Sequence, residues 1–258
     1  MEIQPIRAFA DNYIWLLDQG GALAVVDPGD AAPLLDHLHS SGRRLGAILL
    51  THHHRDHTGG VGELLARFPV PVFGPAAEEI AGVDRPLAGG ETIDLPGTGI
   101  RLQVLTVPGH TRGHLAYLWP DYRAGALFCG DTLFAMGCGR LFEGTPAQMH
   151  ASLSRLAALD PDTAIYCAHE YTASGLRFAT TLEPDNAELL ARRARLTPRL
   201  AGGEPTVPFT LADELATNPF LRLTAPAVQA AIGARLGRPP HDEVEAFAVL
   251  RAWRDHLS

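Results

Sequence analysis

The chain has no lysine. Each of its 21 basic residues is an arginine, set against 29 acidic residues and a formal charge of −8. A surface with that balance argues against non-specific nucleic-acid binding, which needs a cationic face for the phosphates. Any recognition of carboxylates falls on arginine forks. Cysteine is scarce: Cys129, Cys138 and Cys167 contain no Cys-X-X-Cys pair, which argues against a disulfide framework or a zinc ribbon. They read as buried small hydrophobes in a reducing compartment. No stretch approaches the ~20 apolar residues of a membrane span. The start, Met1-Glu2-Ile3-Gln4-Pro5-Ile6-Arg7, lacks the basic region and apolar stretch of a signal peptide, so a cytoplasmic protein is expected. Gly89-Gly90 and Gly202-Gly203 read as turns, because no helix-opening glycine motif follows a strand. No internal repeat or long low-complexity tract occurs.

What the chain does have is Thr51-His52-His53-His54-Arg55-Asp56-His57, directly after the apolar run Leu45–Leu50. Neutral imidazoles and a carboxylate suit zinc and iron. In an extended segment residues two apart share a face, so His52, His54 and Asp56 are expected to converge. His57 then turns the chain out of the strand, while His53 and Arg55 point away. Three further polar residues end β-like apolar runs: His110 after Arg101–Val107 and the turn Pro108-Gly109, Asp131 after Ala126–Gly130, and His169 after Ala164–Ala168. One such residue would be an ordinary strand end. Three alike, added to the histidine cluster, point to one metal site. His114 reads as a structural hydrogen-bonding residue.

The Thr-His-X-His-X-Asp-His signature with later His, Asp and His resembles the metallo-β-lactamase superfamily. That resemblance implies an α/β fold, an αββα sandwich with metals at one edge. It also implies the ligand sets: His52, His54 and His110 for one ion, Asp56, His57 and His169 for the second, and Asp131 as bridge. A narrower resemblance, to the glyoxalase II family, rests on Ala10–Leu17, Gly130–Phe134, Gly137–Arg140, Phe142–Thr145, His169–Thr172, Gly203–Pro208 and Asn218–Arg222. It runs from about residue 3 to residue 256. It implies two divalent ions per chain, zinc with iron or manganese as alternatives, and hydrolysis of S-(2-hydroxyacyl)glutathione thioesters in methylglyoxal detoxification. It also implies a substrate pocket at Arg140, Tyr171, Arg251 and Arg254. The family pattern often has a tyrosine where this chain has Phe142, so the hydroxyl that the resemblance implies for one glutathione hydrogen bond is missing.

Strands are expected at 3–7, 12–18, 22–27, 45–50, 70–73, 100–107, 114–119, 125–129 and 163–168. Helices are expected at 31–41, to about 67, and at 146–158, the last opened by Thr145-Pro146. Strands with outer helices indicate a layered catalytic domain over 1–172. From Ala173 on, helical periodicity broken by proline and glycine indicates a helical substrate-recognition domain over 173–258. There Glu183-Pro184-Asp185-Asn186 separates two helices, 201–208 forms a loop, and a last helix runs from about Pro240 to His256.

Two divalent ions ~3.5–4 Å apart can hold a bridging hydroxide and polarise a carbonyl. Asp56 and Asp131 are the carboxylates expected at the reaction itself. A thioester suits such a site, because a thiol of pKa about 8.5 leaves without a strong general acid. No unassigned residue stands out as a general acid, and Glu143 and Glu170 are the two candidates left open. The expected actor is thus a monomeric hydrolase of a small acylglutathione, with no nucleic-acid or membrane partner. The competing readings are a glutathione persulfide dioxygenase using one iron, another hydrolase on the same metal core, and a non-catalytic metal protein. Seven candidate ligands exceed the four of a closed structural zinc site, which disfavours the last.

Overall fold

A computed structural model of the chain describes residues 1–256. In chain order its elements begin with β1 (Glu2–Ala8), β2 (Asn12–Asp18), β3 (Leu23–Val26), α1 (Ala31–Ser41), β4 (Leu45–Leu49), α2 (Arg55–Thr58), α3 (Val61–Arg67), β5 (Val72–Pro75), β6 (Arg85–Leu87) and β7 (Thr92–Asp94). There follow β8 (Arg101–Thr106), β9 (Leu115–Trp119), β10 (Ala126–Gly130), β11 (Leu133–Phe134), β12 (Gly137–Cys138), α4 (Pro146–Ala157) and β13 (Ala164–Cys167). The rest is α5 (Thr172–Leu182), α6 (Ala187–Ala201), β14 (Phe209–Thr210), α7 (Leu211–Thr217), α8 (Pro226–Leu236) and α9 (Glu243–Asp255). The fold is α/β, with mixed sheets followed by a helical C-terminal region. Among the described residues no helix is long and apolar enough to cross a membrane.

The chain forms two compact units. The first comprises Met1–Val107, Arg112–Gly130 and Tyr166–His169; the second comprises Pro108–Thr111, Asp131–Ile165 and the chain from Glu170 on.

In the first unit one sheet has the order β1-β2-β3-β4-β5-β6. Its first three strands are antiparallel, and β3 to β6 run parallel. The strand β2 is buried on both faces, and alternation divides its side chains. Ile14 and Leu16 join Val25 and Ile48 in a core against Leu34 and Leu38 of α1 and Leu64 of α3. Trp15, on the other face, packs edge-on against Tyr166 at 5.0 Å and donates its indole N–H to the Cys167 carbonyl. Tyr117 of β9 donates to the Leu50 carbonyl. Strands β9 and β13, of a second sheet that also holds β8 and β10, thus lie against the inner face of the first, and α1 and α3 cover its outer face. Each large side chain sealed there contributes on the order of 1.5–3 kcal/mol.

In the second unit β13 begins beside β14, with Ile165 opposite Phe209. The hairpin β11–β12 turns at Met136, whose φ of 53° is unusual for a non-glycine residue. Two buried contacts hold this turn: Glu214 accepts from the Met136 N–H, and Asn218 donates to the carbonyls of Phe134 and Gly137. Arg192 pairs with Glu214 at 2.5 Å.

Several expected bounds shift. The strand expected at 70–73 forms at Val72–Pro75, since Pro71 has no N–H for a ladder. The last helix starts at Glu243, because Asp242 caps it by accepting from the Glu245 N–H. The extended segment expected through the histidine cluster is absent. The strand β4 ends at Leu49, residues 51–54 are irregular, and Asp56 lies in the helical turn α2. Strand alternation therefore does not account for the spacing of the cluster.

Candidate metal centre and pocket

Candidate ligands stand where strands end. In the first unit His52 and His54 follow β4, Asp56 and His57 lie on α2, and His169 follows β13. The turn Asp27-Pro28-Gly29 after β3 packs on α2 so closely that a Cβ on Gly29 would lie 1.7 Å from the Asp56 carbonyl oxygen. Only glycine fits there, and the approach fixes where Asp56 sits.

Asp27 is the hub of this arrangement. It is buried at a φ of 53°, and its carboxylate accepts from the Thr51 N–H (2.8 Å), the Thr51 hydroxyl (2.7 Å) and Nδ1 of His57 (2.9 Å). These bonds assign tautomers. The Thr51 hydroxyl donates to the Asp27 carboxylate, so its oxygen accepts from His52 Nδ1 at 3.0 Å. Asp11 accepts from His169 Nδ1 at 2.8 Å. With Nδ1 protonated, the Nε2 atoms of His52, His57 and His169 in the neutral rings carry lone pairs.

Those nitrogens converge. His52 Nε2 lies 3.1 Å from His54 Nδ1, and Asp56 Oδ2 lies 3.4 Å from Nε2 of both His57 and His169. The latter distances exceed a good N–H···O contact. They match the separation of about 3.3 Å between two ligand atoms each ~2.0–2.1 Å from one tetrahedral ion. The donor set therefore fits a divalent cation, with carboxylates and a hydroxyl behind the rings to orient them. The side-chain amide of Asn12 donates to the Asp56 carboxylate at 3.0 Å and favours its ionised form.

His53 does not join this set: its Nδ1 pairs with Glu78 at 3.0 Å, and Glu78 also accepts from the Gly113 N–H. His114 is fully buried and stacks on His52 with ring centroids 4.6 Å apart.

In the second unit the same logic holds for His110. Its Nδ1 donates to the Arg140 carbonyl at 2.8 Å, and its Nε2 lies 3.4 Å from Asp131 Oδ2. Gly139 packs on this carboxylate's own backbone, where a Cβ would lie 1.9 Å from the Asp131 carbonyl oxygen. His110 and Asp131 line a cavity of about 430 Å³ together with Cys138, Arg140, Tyr171 and Arg254. Arg251 also lines it, buried, and donates to the Cys138 carbonyl at 2.8 Å and to Asp255 at 2.9 Å. Arg254 bonds to the Ser174 hydroxyl. Burial, then the nearby charges of Arg251, Arg177 and Arg140, pull the Arg254 pKa down. A guanidinium in that position gains from an anion.

Tyr171 stacks edge-on against Phe134 at 5.1 Å. Phe142, 62% exposed, sets its ring edge-on to His110 at 5.2 Å. Glu170 is spent on structure: it accepts from the Thr206 N–H (2.7 Å) and hydroxyl (2.6 Å), anchoring the 201–208 loop. Asp11, Asn12, Asp27 and Thr51 are the working residues that pattern reading missed. The signal for Asp27 was present, since it too ends an apolar strand.

Comparison with known proteins agrees over the whole length. The family described as Metallo-beta-lactamase superfamily matches residues 9–169, and that described as Hydroxyacylglutathione hydrolase C-terminus matches residues 170–257. A hydroxyacylglutathione hydrolase of Cupriavidus taiwanensis is 53% identical, covering 100% of this chain and 99% of its own. One from Alkalilimnicola ehrlichii is 56% identical over 98% of each. Among solved structures, a protein crystallised in a di-iron-bound form superposes with a TM-score of 0.60 at 28% identity, covering 86% of this chain and 100% of its own. ETHE1 from Myxococcus xanthus superposes at 0.68 with 21% identity, covering 98% of this chain and 91% of its own, and shares the fold.

Proposed function

The chain belongs to the hydroxyacylglutathione hydrolase family of the metallo-β-lactamase superfamily, and from that premise we propose that it cleaves S-(2-hydroxyacyl)glutathione. S-D-lactoylglutathione is the foremost substrate, yielding glutathione and D-lactate in methylglyoxal detoxification. The observation that carries the reading is the guanidinium-lined cavity that also contains His110 and Asp131. Glutathione brings two carboxylates to such a lining, and the thioester bond sits between those carboxylates and the acyl group.

The ligand assignment is part of the proposal: His52, His54 and His110 for one ion, Asp56, His57 and His169 for another, Asp131 for both. Zinc is the proposed metal, with iron and manganese compatible with the same donors. Bound ions would lower the pKa of water toward ~7 and polarise the thioester carbonyl. Asp56, ionised and braced by Asn12, would orient the attacking water. Arg140, Tyr171, Arg251 and Arg254 would hold the glutathione moiety, so residues 173–258 would share recognition with Arg140 and Tyr171, while the chemistry would belong to 1–172. A thiolate leaves unaided, which fits a site whose Glu170 is already engaged. We place the enzyme in the cytoplasm as a monomer.

The test is thioester hydrolysis across several acylglutathiones, with elemental analysis of the same sample. Two metal equivalents and a strong preference for glutathione over a thiol without carboxylates are expected. Full activity at one equivalent sinks the two-ion centre, and indifference to the thiol sinks the glutathione assignment.

A further inference from the structure

A second cavity, of about 530 Å³, lies wholly in the first unit. Phe9, Gly29, Ala31, Arg55, Asp56 and Glu63 are among its lining residues. It shares Asp56 with the candidate metal centre, yet none of the guanidiniums expected to hold glutathione lines it.

Two of its walls are unusual. Phe9 is 60% exposed, and its φ is 52°, a region that bulky residues rarely enter. Such a conformation persists only where the surroundings over-determine it. Here they do. Phe9 sits in the turn between β1 and β2, closed by the pairing of Ala8 with Asn12. Within three positions the turn is clamped to two candidate ligands. Asp11 accepts from His169 Nδ1, and Asn12 both donates to Asp56 Oδ2 and bridges to His169 through its backbone. The ring of Phe9 makes no aromatic ring contact among the described residues. Arg55, the other wall, makes no side-chain hydrogen bond or ion pair among the described residues. An exposed aromatic ring on a held turn and a guanidinium without a side-chain partner among the described residues thus line the same cavity as Asp56.

We infer that this cavity is the acyl subsite, and that Phe9 and Arg55 extend its range from small 2-hydroxyacyl groups to aromatic ones. A ring entering it meets an aromatic edge or face on one wall and a guanidinium plane on another. The inference rests on the thioester reading above: the acyl carbon must reach the metal centre, and Asp56 belongs to both.

The experiment compares S-mandeloylglutathione with S-acetylglutathione, so that the thiol part is constant and cancels. The measured quantity is the ratio of the two kcat/KM values, with metal content determined for each protein. In Phe9→Ala the mandeloyl-to-acetyl ratio should fall roughly tenfold, the scale of one lost aromatic pair. Phe9→Leu should keep part of it. Arg55→Ala should lower the ratio roughly threefold, as for one exposed cation–π contact. A ratio unchanged in both Phe9→Ala and Arg55→Ala overturns the subsite. So does an equal loss on both substrates with lost metal, which would make Phe9 a brace for the turn. A wild-type enzyme inert to both thioesters removes the thioester reading itself, and this inference with it. Selectivity that fails while hydrolysis proceeds removes the subsite alone.

Discussion

One carboxylate does three things at Asp27: it receives the Thr51 N–H, the Thr51 hydroxyl and the His57 ring. Through Thr51 it also sets which nitrogen of His52 carries the proton. Removing it frees two imidazoles to flip tautomer, and the lone pairs no longer converge. Asp27→Ala is therefore expected to weaken metal binding about 10–100-fold, the usual effect of losing an orienting partner, in a competition titration with a chromogenic chelator. Asp27→Asn should lose less, because asparagine tolerates the left-handed backbone at this position and its oxygen still accepts one of the three bonds. Unchanged affinity in both variants would mean that the rings are oriented by their neighbours without Asp27. His53 shows the converse. It sits among ligands in sequence and is expected to point away; its ring does face Glu78, although no strand alternation puts it there.

At the scale of elements, α9 carries two arginines three positions apart with different duties. Arg251 is buried and already bonded to the Cys138 carbonyl and Asp255. Arg254 lies among like charges and bonds to Ser174. Arg254→Ala should raise KM for an acylglutathione about tenfold, as one charge-assisted contact of ~1.5–3 kcal/mol is lost, and leave a small neutral thioester much less affected. Arg251→Ala should also lower the thermal midpoint, since the hairpin β11–β12 loses its tie to α9. Steady-state kinetics on both thioesters, with a melting curve for each variant, separates the two roles; identical behaviour would show that the helix acts as one structural piece.

The same hairpin shows what pattern reading could not see. Long periodic segments such as α1 and β8 were legible, and so were ligands ending apolar strands. The strands β6, β7, β11, β12 and β14 have two or three residues each, too few to show a period. The four residues of α2 have the same difficulty. Its position is set by Gly29 against Asp56, a tertiary contact that no local window contains. The residues expected to share a metal could be read from their types, while the reason for their orientation lay in Thr51 beside them and in Asp11, Asn12 and Asp27, which arrive from other elements.

For the molecule as a whole, the histidine-rich centre and the surface ion pairs answer to pH in different ranges. Metal binding requires neutral imidazoles, whose ordinary pKa is about 6.5, so protons displace metal as the pH falls below that value. Arg43 holds the Asp18 carboxyl down to about 2 from 3.8. A folded-state pKa below the unfolded one stabilises above the unfolded value, and that contribution is lost only as the pH falls from about 4 toward 2. The two losses should therefore be separable. An ion present at a hundred times its dissociation constant adds about 2.7 kcal/mol, a large share of the ~5–15 kcal/mol that domains typically have. That corresponds to roughly 5–10 °C in the thermal midpoint for a chain of this size. Melting curves with zinc and with a chelator should differ by about that much per ion at pH 7.5 (~5–10 °C). By a pH about one unit below the imidazole value most of the difference should be gone, while the chelated protein has yet to reach the range where its carboxylate pairs fail. An equal zinc-dependent shift at both pH values would mean that the bound ion does not compete with protons for imidazole nitrogens, and the histidine ligands assigned here would have to be given up.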